Sequence, residues 1–378
     1  MNKHTLSFSF IFFLFILQTN IGISQTTIPV PDHIVIAILE SHGYPELIGS
    51  SAAPYINSLA NDASSALFSE SYAIAHPSQP NNLVLFSGST QGVTDNNVPS
   101  NNPFITPNLG RQLIDSGKTF IAYSESLPEV GYNGAMSGYY ARKHNPVTNW
   151  MGTGINQIST TLNQPFTAFS SNDFSKLPTV CYVIPNLKND MHNGSDPNRI
   201  TLGDSWISTN LNSYIQWAKT NNSLFILTFD EEGELEINHI LTIITGQMVQ
   251  AGQYTAEINH YSILHTIETM YGLPNIGDEL TRSPITCCWK ENATISVSNI
   301  QQTNCITYPN PNHGLLSIEL SDYQGATAEI YNLKGQKILN NPLESSKTVI
   351  NTEILENGFY ILKIKNKDCV VLKKIIKN

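Results

Sequence analysis

Four short apolar runs in this chain lead into groups that can hold a cation or move a proton. HIVIAILE (33–40) ends in Glu40 and is followed by Ser41 and His42. TFIAYSE (119–125) ends in Glu125, and TVCYVIP (179–185) leads to Asn189, Asp190, Met191 and His192. LFILTFD (224–230) ends in Asp230, followed by Glu231 and Glu232. Carboxylates held together repel one another and must be neutralised. A divalent cation does this most simply, because hard cations take oxygen ligands. A single acid after a strand equally serves as a helix N-cap or a solvated turn. It is the convergence of four such ends that favours a site.

Between the first two runs lies Ala75-His76-Pro77-Ser78-Gln79-Pro80-Asn81-Asn82. Two prolines bracket Ser78 and stiffen the loop expected to present it. A serine hydroxyl activated by a metal can attack phosphorus near neutral pH. His76, His144, His192 and His260 add acid–base capacity in polar surroundings. His192 is the strongest of them, since Asp190 two residues earlier can share its site.

The elements that must position these groups follow from the apolar pattern. The four runs and HILTIITG (239–246) are continuous and short, which suits strands buried on both faces of a parallel sheet. PYINSLANDAS, NLGRQLIDSG, WISTNLNSYIQWAKT and SILHTIETMYGLP read as helices between or after them, the last stopped at Gly272 and Pro274. Alternating strands and helices predict an α/β sandwich with a mainly parallel sheet. In such sheets ligands bind beyond the carboxyl ends of the strands, where the acids lie.

The pattern changes after Trp289. Residues 290–304 are polar and read as a linker. Residues 305–378 alternate in strand fashion (LLSIEL, ATAEIYN, FYILKIK, VVLKKIIK) between turns, predicting a small C-terminal β-sandwich. At the other end Lys3 and His4 precede an apolar run from Leu6 to Leu17, with small residues at Gly22 and Ser24. That is the form of a signal peptide over 1–24. It leaves 25–289 as the catalytic domain.

The formal net charge of the 378 residues is -10, which disfavours nucleic acid as a partner. The five cysteines contain no CxxC pair, against a zinc–thiolate site. An odd count leaves one unpaired within the chain, and Cys305 and Cys369 are placed to bridge.

Taken in order, HIVIAILESHGYPELIG, APYINSLA, HPSQPNNLVLFSGSTQGVT, AYSESLP, RKHNP, PNLKNDMHNGS, GDSWI, LTFDEE and SILHTIETMYGLP resemble the phosphoesterase family of bacterial acid phosphatases and phospholipases C, within the alkaline-phosphatase superfamily. The resemblance spans about residues 30–289 and implies an alkaline-phosphatase-like α/β/α sandwich. It also implies a phosphoric-ester hydrolase that uses a divalent metal ion and a phosphoserine intermediate. By position, Glu40, Ser41, Ser78, Asp230 and Glu231 match its metal ligands, and Ser78 its nucleophile. Asn81 matches a phosphate-oxygen ligand, and His192 a transition-state stabiliser or leaving-group acid. His76 and His144 fall on family motifs as well. Ser41 departs from the family's usual Asn, a longer and stronger ligand. The substrate implied is a small phosphate ester or a phospholipid headgroup. A phospholipase C or phosphodiesterase is the alternative, and a binding protein on a decayed hydrolase scaffold is a further one.

YPNPNHG (308–314), IYNLKGQKIL (330–339) and LENGFYILKI (355–364) resemble the sorting domain of type IX secretion in Bacteroidetes. This implies export to the cell surface or medium through outer-membrane machinery. A carbohydrate-binding or adhesive module is the structural alternative.

Overall fold

Each of the five apolar runs between residues 33 and 246 becomes a strand with core on both sides. In this computed structural model the described residues are 28–169, 173–233, 237–290, 305–320, 323–366 and 369–378. The expected leader lies outside them, as does the expected linker apart from residue 290. The chain divides into two compact units, residues 1–292 and 293–378.

The first unit runs β1 (His33–Leu39), α1 (Tyr44–Leu47), α2 (Pro54–Ala60), β2 (Ser65–Tyr72), α3 (Ser78–Ser87), α4 (Leu109–Asp115) and β3 (Phe120–Ser124). A hairpin of β4 (Met136–Ser137) and β5 (Tyr140–Ala141) follows, then β6 (Asn163–Pro165) and β7 (Val180–Ile184). Next come α5 (Asn198–Asn210), α6 (Asn212–Ala218), β8 (Ser223–Phe229), β9 (His239–Gly246), β10 (Gly252–Tyr254), β11 (Ile258–Asn259) and α7 (His260–Tyr271). One sheet has the order β10-β2-β9-β8-β1-β7-β3-β6, with β11 also on β2. β1 pairs in parallel with β7 and β8, and β3 with β7 and β6.

Successive side chains of a strand face opposite ways, so each central strand feeds two cores. Ile34, Ile36, Leu224 and Ile226 face Leu83, Leu113 and Ile267 of α3, α4 and α7. Val35, Ala37, Phe225 and Leu227 face Ile56, Ile207 and Ile215 of α2, α5 and α6. The result is the expected α/β/α sandwich with a mainly parallel sheet.

Two expectations need correction. HILTIITG forms β9, which runs antiparallel to both β8 and β2. Burial on both faces produces the same apolar run in either direction, so the pattern carries no polarity. WISTNLNSYIQWAKT is split between two helices, α5 and α6, that meet at Leu211.

The C-terminal unit is all antiparallel strands in two sheets. One has Cys305–Tyr308, Leu315–Leu320 and Lys347–Asn351; the other has Lys337–Pro342, Thr327–Tyr331, Gly358–Asn366 and Cys369–Lys377. Leu316 and Ile318 from the first meet Ile330, Leu362 and Ile364 from the second in one core, a β-sandwich. Cys305 is a buried free thiol, not a bridge.

One charge inside the first unit bears on stability. Glu268 of α7 is fully buried, and its Oε2 has no hydrogen-bond partner. Burial pushes its carboxyl from 4.5 up to about 8. A raised acid means that the unfolded chain ionises first, so this group withdraws stability as pH climbs from about 4.5 to 8. Glu268→Gln is therefore expected to match wild type in urea stability at pH 4. It should exceed wild type by about 1–4 kcal/mol at pH 8. A pH-independent difference would contradict this account.

Candidate active site

Parallel register sets the frame of the site. Leu39 of β1 pairs with Phe229 of β8, so the next residues, Glu40 and Asp230, leave the sheet side by side. Asp230 N–H donates to Leu39 O at 2.9 Å, and Glu40 N–H donates to Asp190 O at 2.9 Å. Three strand ends are thereby stitched together before any side chain is considered.

Ser78 is the first residue of α3 rather than part of an open loop, and it is buried. Its Oγ lies 2.9 Å from Glu40 Oε2 and 2.9 Å from Glu231 Oε1. One hydroxyl hydrogen can serve only one of these at a time. Glu231 Oε2 lies 2.6 Å from His76 Nδ1. Asp230 Oδ1 accepts from Ser41 N–H (3.1 Å) and Glu231 N–H (2.7 Å), while the buried Oδ2 has no partner. Ser41 thus meets the cluster through its backbone, in a left-handed conformation (φ 51°) that Asn adopts more readily than Ser.

On the far side of Glu40 stands His144, also buried. Its Nδ1 is 3.0 Å from Asp190 Oδ2, and its Nε2 is 3.0 Å from Glu40 Oε1. The second contact lacks hydrogen-bond alignment, so both of its atoms stay unsatisfied in that sense. His192 is half-buried. Its N–H donates to Asp190 Oδ1 at 2.8 Å, its Nδ1 is 2.9 Å from Asn193 Oδ1, and its Nε2 is 3.0 Å from Lys143 Nζ. An ammonium only donates, so this Nε2 is the acceptor and Nδ1 carries the hydrogen.

Charge explains the arrangement. Burial pushes Glu40 up, but the charge and hydrogen bond of His144 outweigh it and hold the carboxyl low. Burial pulls His144 down, and Glu40 and Asp190 raise it to about 9. Asp230 is driven well above the usual carboxylate range by burial and then by the Glu40 charge. Burial raises Glu231 too. Glu40, Asp230 and Glu231 bring one ligand atom each within 4.8 Å of one another, as do Glu40, His144 and His192. The first set carries surplus negative charge and an orphaned oxygen, and oxygen donors suit a hard divalent ion. The second already has the Lys143 ammonium on one of its nitrogens.

Comparison with known proteins gives the family. Residues 48–274 match the model of the Phosphoesterase family, and residues 307–378 that of a secretion system C-terminal sorting domain. The chain belongs to the phosphoesterase family. The phosphatidylinositol-3-phosphatase of Mycobacterium tuberculosis is 42% identical over 270 residues, covering 71% of this chain and 86% of that protein. An acid phosphatase of Aspergillus fumigatus is 32% identical over 234 residues, covering 56% of this chain and 49% of that one. The chain thus spans about half the length of this second relative. A solved alkaline phosphatase superfamily protein from Vibrio parahaemolyticus aligns at TM-score 0.47 and 14% identity, over 85% of this chain and 84% of that chain. The phosphoesterase is a hydrolase of phosphoric-ester bonds, and its sorting domain directs it through type IX export to the cell surface or medium.

Several acids and amides near the phosphoesterase site hold its loops. Glu125 accepts from Asn186 N–H and Asn189 Nδ2, and Glu232 from His239 N–H. His260 bonds Phe229 O, and burial holds it down at about 4, a neutral support under Asp230. Gln79 ties the 95–97 loop through Asp95 O and Asn97 O. Lys143, next to His144 in RKHNP, was given no role by sequence reasoning. Its signal there is only its place in a motif.

Asn81, expected as a phosphate-oxygen ligand, is engaged with the backbone in this structure. Its Oδ1 accepts from Ile74 N–H and Ala75 N–H, both at 2.9 Å, and its Nδ2 donates to Ala75 O (2.7 Å) and Pro77 O (3.4 Å). Both ends of the amide are engaged, so Asn81 braces the 74–77 segment. Asn81→Ala should cost about 1–3 kcal/mol in chemical denaturation, from two backbone donors left without an acceptor. Unchanged stability with lost activity would restore the phosphate-ligand assignment.

Proposed function

We propose that this chain is a metal-dependent phosphomonoesterase acting through a phosphoserine on Ser78. The observation that carries this reading is the seat of Ser78 Oγ, 2.9 Å from each of two carboxylates. The unpartnered Asp230 Oδ2 is buried in the same cluster. Glu40, Asp230 and Glu231 would hold the cation, with the Ser41 hydroxyl as a further candidate ligand. Bound there, a divalent ion supplies positive charge that offsets the carboxylates, favours ionisation of the hydroxyl and polarises a phosphoryl oxygen.

The chain's own groups account for the rest. Ser78 sits at the positive end of α3, which favours negative charge on Oγ. Its proton passes to Glu231 or Glu40, the two acceptors in reach. Oγ bonds to phosphorus as the ester oxygen leaves, and the departing alkoxide takes a proton from the side where His144 carries one. The positive charge of His144 favours the growing negative charge on the phosphoryl oxygens, the electrostatic work that dominates phosphoryl transfer, while His192 holds the Lys143 side chain through its Nε2. Water then attacks phosphorus, giving up a proton that restores His144, as the P–Oγ bond breaks and Oγ takes back its own proton from the carboxylate, releasing phosphate. His76 steadies Glu231 throughout. The intact seat of Ser78 speaks against a decayed scaffold.

The mature protein should hydrolyse p-nitrophenyl phosphate, lose turnover on chelation and regain it with one added divalent cation. Ser78→Ala should lower kcat by roughly 10^4-fold or more with its melting temperature preserved. Residual turnover near wild type would remove Ser78 from the nucleophile's place. Asp230→Asn should bind less metal by elemental analysis, and metal should stabilise it by less than the wild type's roughly 2.7 kcal/mol at 100 times Kd. An unchanged stoichiometry would exclude Asp230 as a ligand.

A further inference from the structure

Lys143 is a cation whose described side-chain hydrogen bond goes to an imidazole and not to a carboxylate. It lies on the tight turn Arg142–His144 that follows β5, between two residues that cannot move freely. Arg142 is buried and donates to Asn133 O, Thr148 Oγ1 and Asn149 Oδ1. His144 is buried between Glu40 and Asp190. The backbone that carries Lys143 is therefore anchored on both sides, and its side chain starts from a defined place.

That side chain is half-buried, and its Nζ is 3.0 Å from a neutral acceptor, His192 Nε2. Among the described residues no carboxylate lies within 4.0 Å of it, whereas Arg199 and Lys219 meet Asp196 and Asp62. Partly desolvating an ammonium beside a neutral imidazole costs free energy that an anion would return. Lys143 also lines a cleft of about 90 Å³ whose other walls include Gln79, Asn96, Val98 and Met136. Gln79 directly follows Ser78, so the cleft reaches from Lys143 to the neighbour of the nucleophile. The ammonium lies close enough for its charge to favour the ionised form of Glu40, which bonds Ser78.

We propose that Lys143 binds the second negative charge of a phosphate monoester and thereby selects monoesters over diesters. This rests on the reading of Ser78 as the nucleophile of a phosphoric-ester hydrolase. A monoester near neutral pH carries between one and two negative charges, its second pKa being about 6. The carboxylate side of the site answers one of them through its cation. The remaining charged oxygen is met by Lys143 in a charge-assisted hydrogen bond. A diester bears a neutral ester oxygen at that point and leaves the ammonium unpaired, which is how a site rejects a near-match.

The experiment compares wild type, Lys143→Met and Lys143→Arg on p-nitrophenyl phosphate and bis(p-nitrophenyl) phosphate. Lys143→Met should lose roughly 10- to 100-fold in kcat/KM on the monoester, mostly through KM, and stay within about threefold on the diester. Lys143→Arg should recover most of the monoester rate. An equal fall on both esters, or none on either, would overturn the assignment. The second measurement is independent of turnover: calorimetric binding of inorganic phosphate to Ser78→Ala, with and without Lys143→Met. Binding weakened about tenfold or more supports the proposal, and an unchanged Kd refutes it. If Lys143→Met fails to melt cooperatively, Lys143→Gln takes its place in both assays. Failure of the nucleophile reading would show separately, as wild-type turnover by Ser78→Ala.

Discussion

The structure is organised around an unfavourable act, the burial of Glu40, Asp230, Glu231 and Asp190 around one point. Each carboxylate pays for leaving water, and their mutual repulsion adds to that. Glu40 stays ionised because His144 stands between it and Asp190. Asp230 and Glu231 have less such help, and their carboxyls rise as a result. The site is thus left with a deficit of positive charge on one side, next to the serine hydroxyl. That imbalance makes a cation the natural completion of the cluster. It also keeps the groups reactive, since a fully satisfied network has nothing to give a substrate.

The scaffold serves this imbalance by removing freedom around it. Register between β1 and β8 sets Glu40 beside Asp230, and α3 brings Ser78 in with its N-terminal end foremost. The loops are then tied by side-chain hydrogen bonds: Asn81 on 74–77, Gln79 on 95–97, Glu125 on 186–189. Rigid support of this kind allows donors and charges to be preorganised, so that little is spent on reorganisation during reaction. Two poles result. In the proposed reaction the carboxylate pole would receive the cation and the hydroxyl proton, and the pole of His144 and Lys143 would meet the oxygens of the phosphoryl group. The C-terminal sandwich has its own core and a separate task, export.

Much of this was legible in the residues. Apolar runs marked β1, β3, β7, β8 and β9 to within about a residue, because strands buried on both faces have few alternatives to aliphatic side chains. β2 escaped, since SALFSESY is rich in serine. Its hydroxyls are satisfied across the sheet, Ser65 by Thr245 at 2.7 Å and Ser71 by Thr242 at 2.8 Å. Only pairing with a neighbour makes such a strand buriable, and pairing is invisible along the chain. The direction of β9 was hidden for a related reason, as burial constrains side-chain polarity and not strand polarity.

The same division holds at the site. By itself the sequence determined the chemical inventory: acids at strand ends, a serine bracketed by prolines, histidines in polar motifs, and the family to which these belong. Tertiary structure alone decided who meets whom. Ser78 reaches Glu40 across 38 positions and Glu231 across 153, and His144 reaches Asp190 across 46. Asn81 turned out to spend its amide on backbone six and seven residues away, and Lys143 to have no carboxylate within 4.0 Å among the described residues. A residue's type fixes which bonds it can make. Which of them it does make depends on distances and desolvation that exist only once the sheet has closed and water has left.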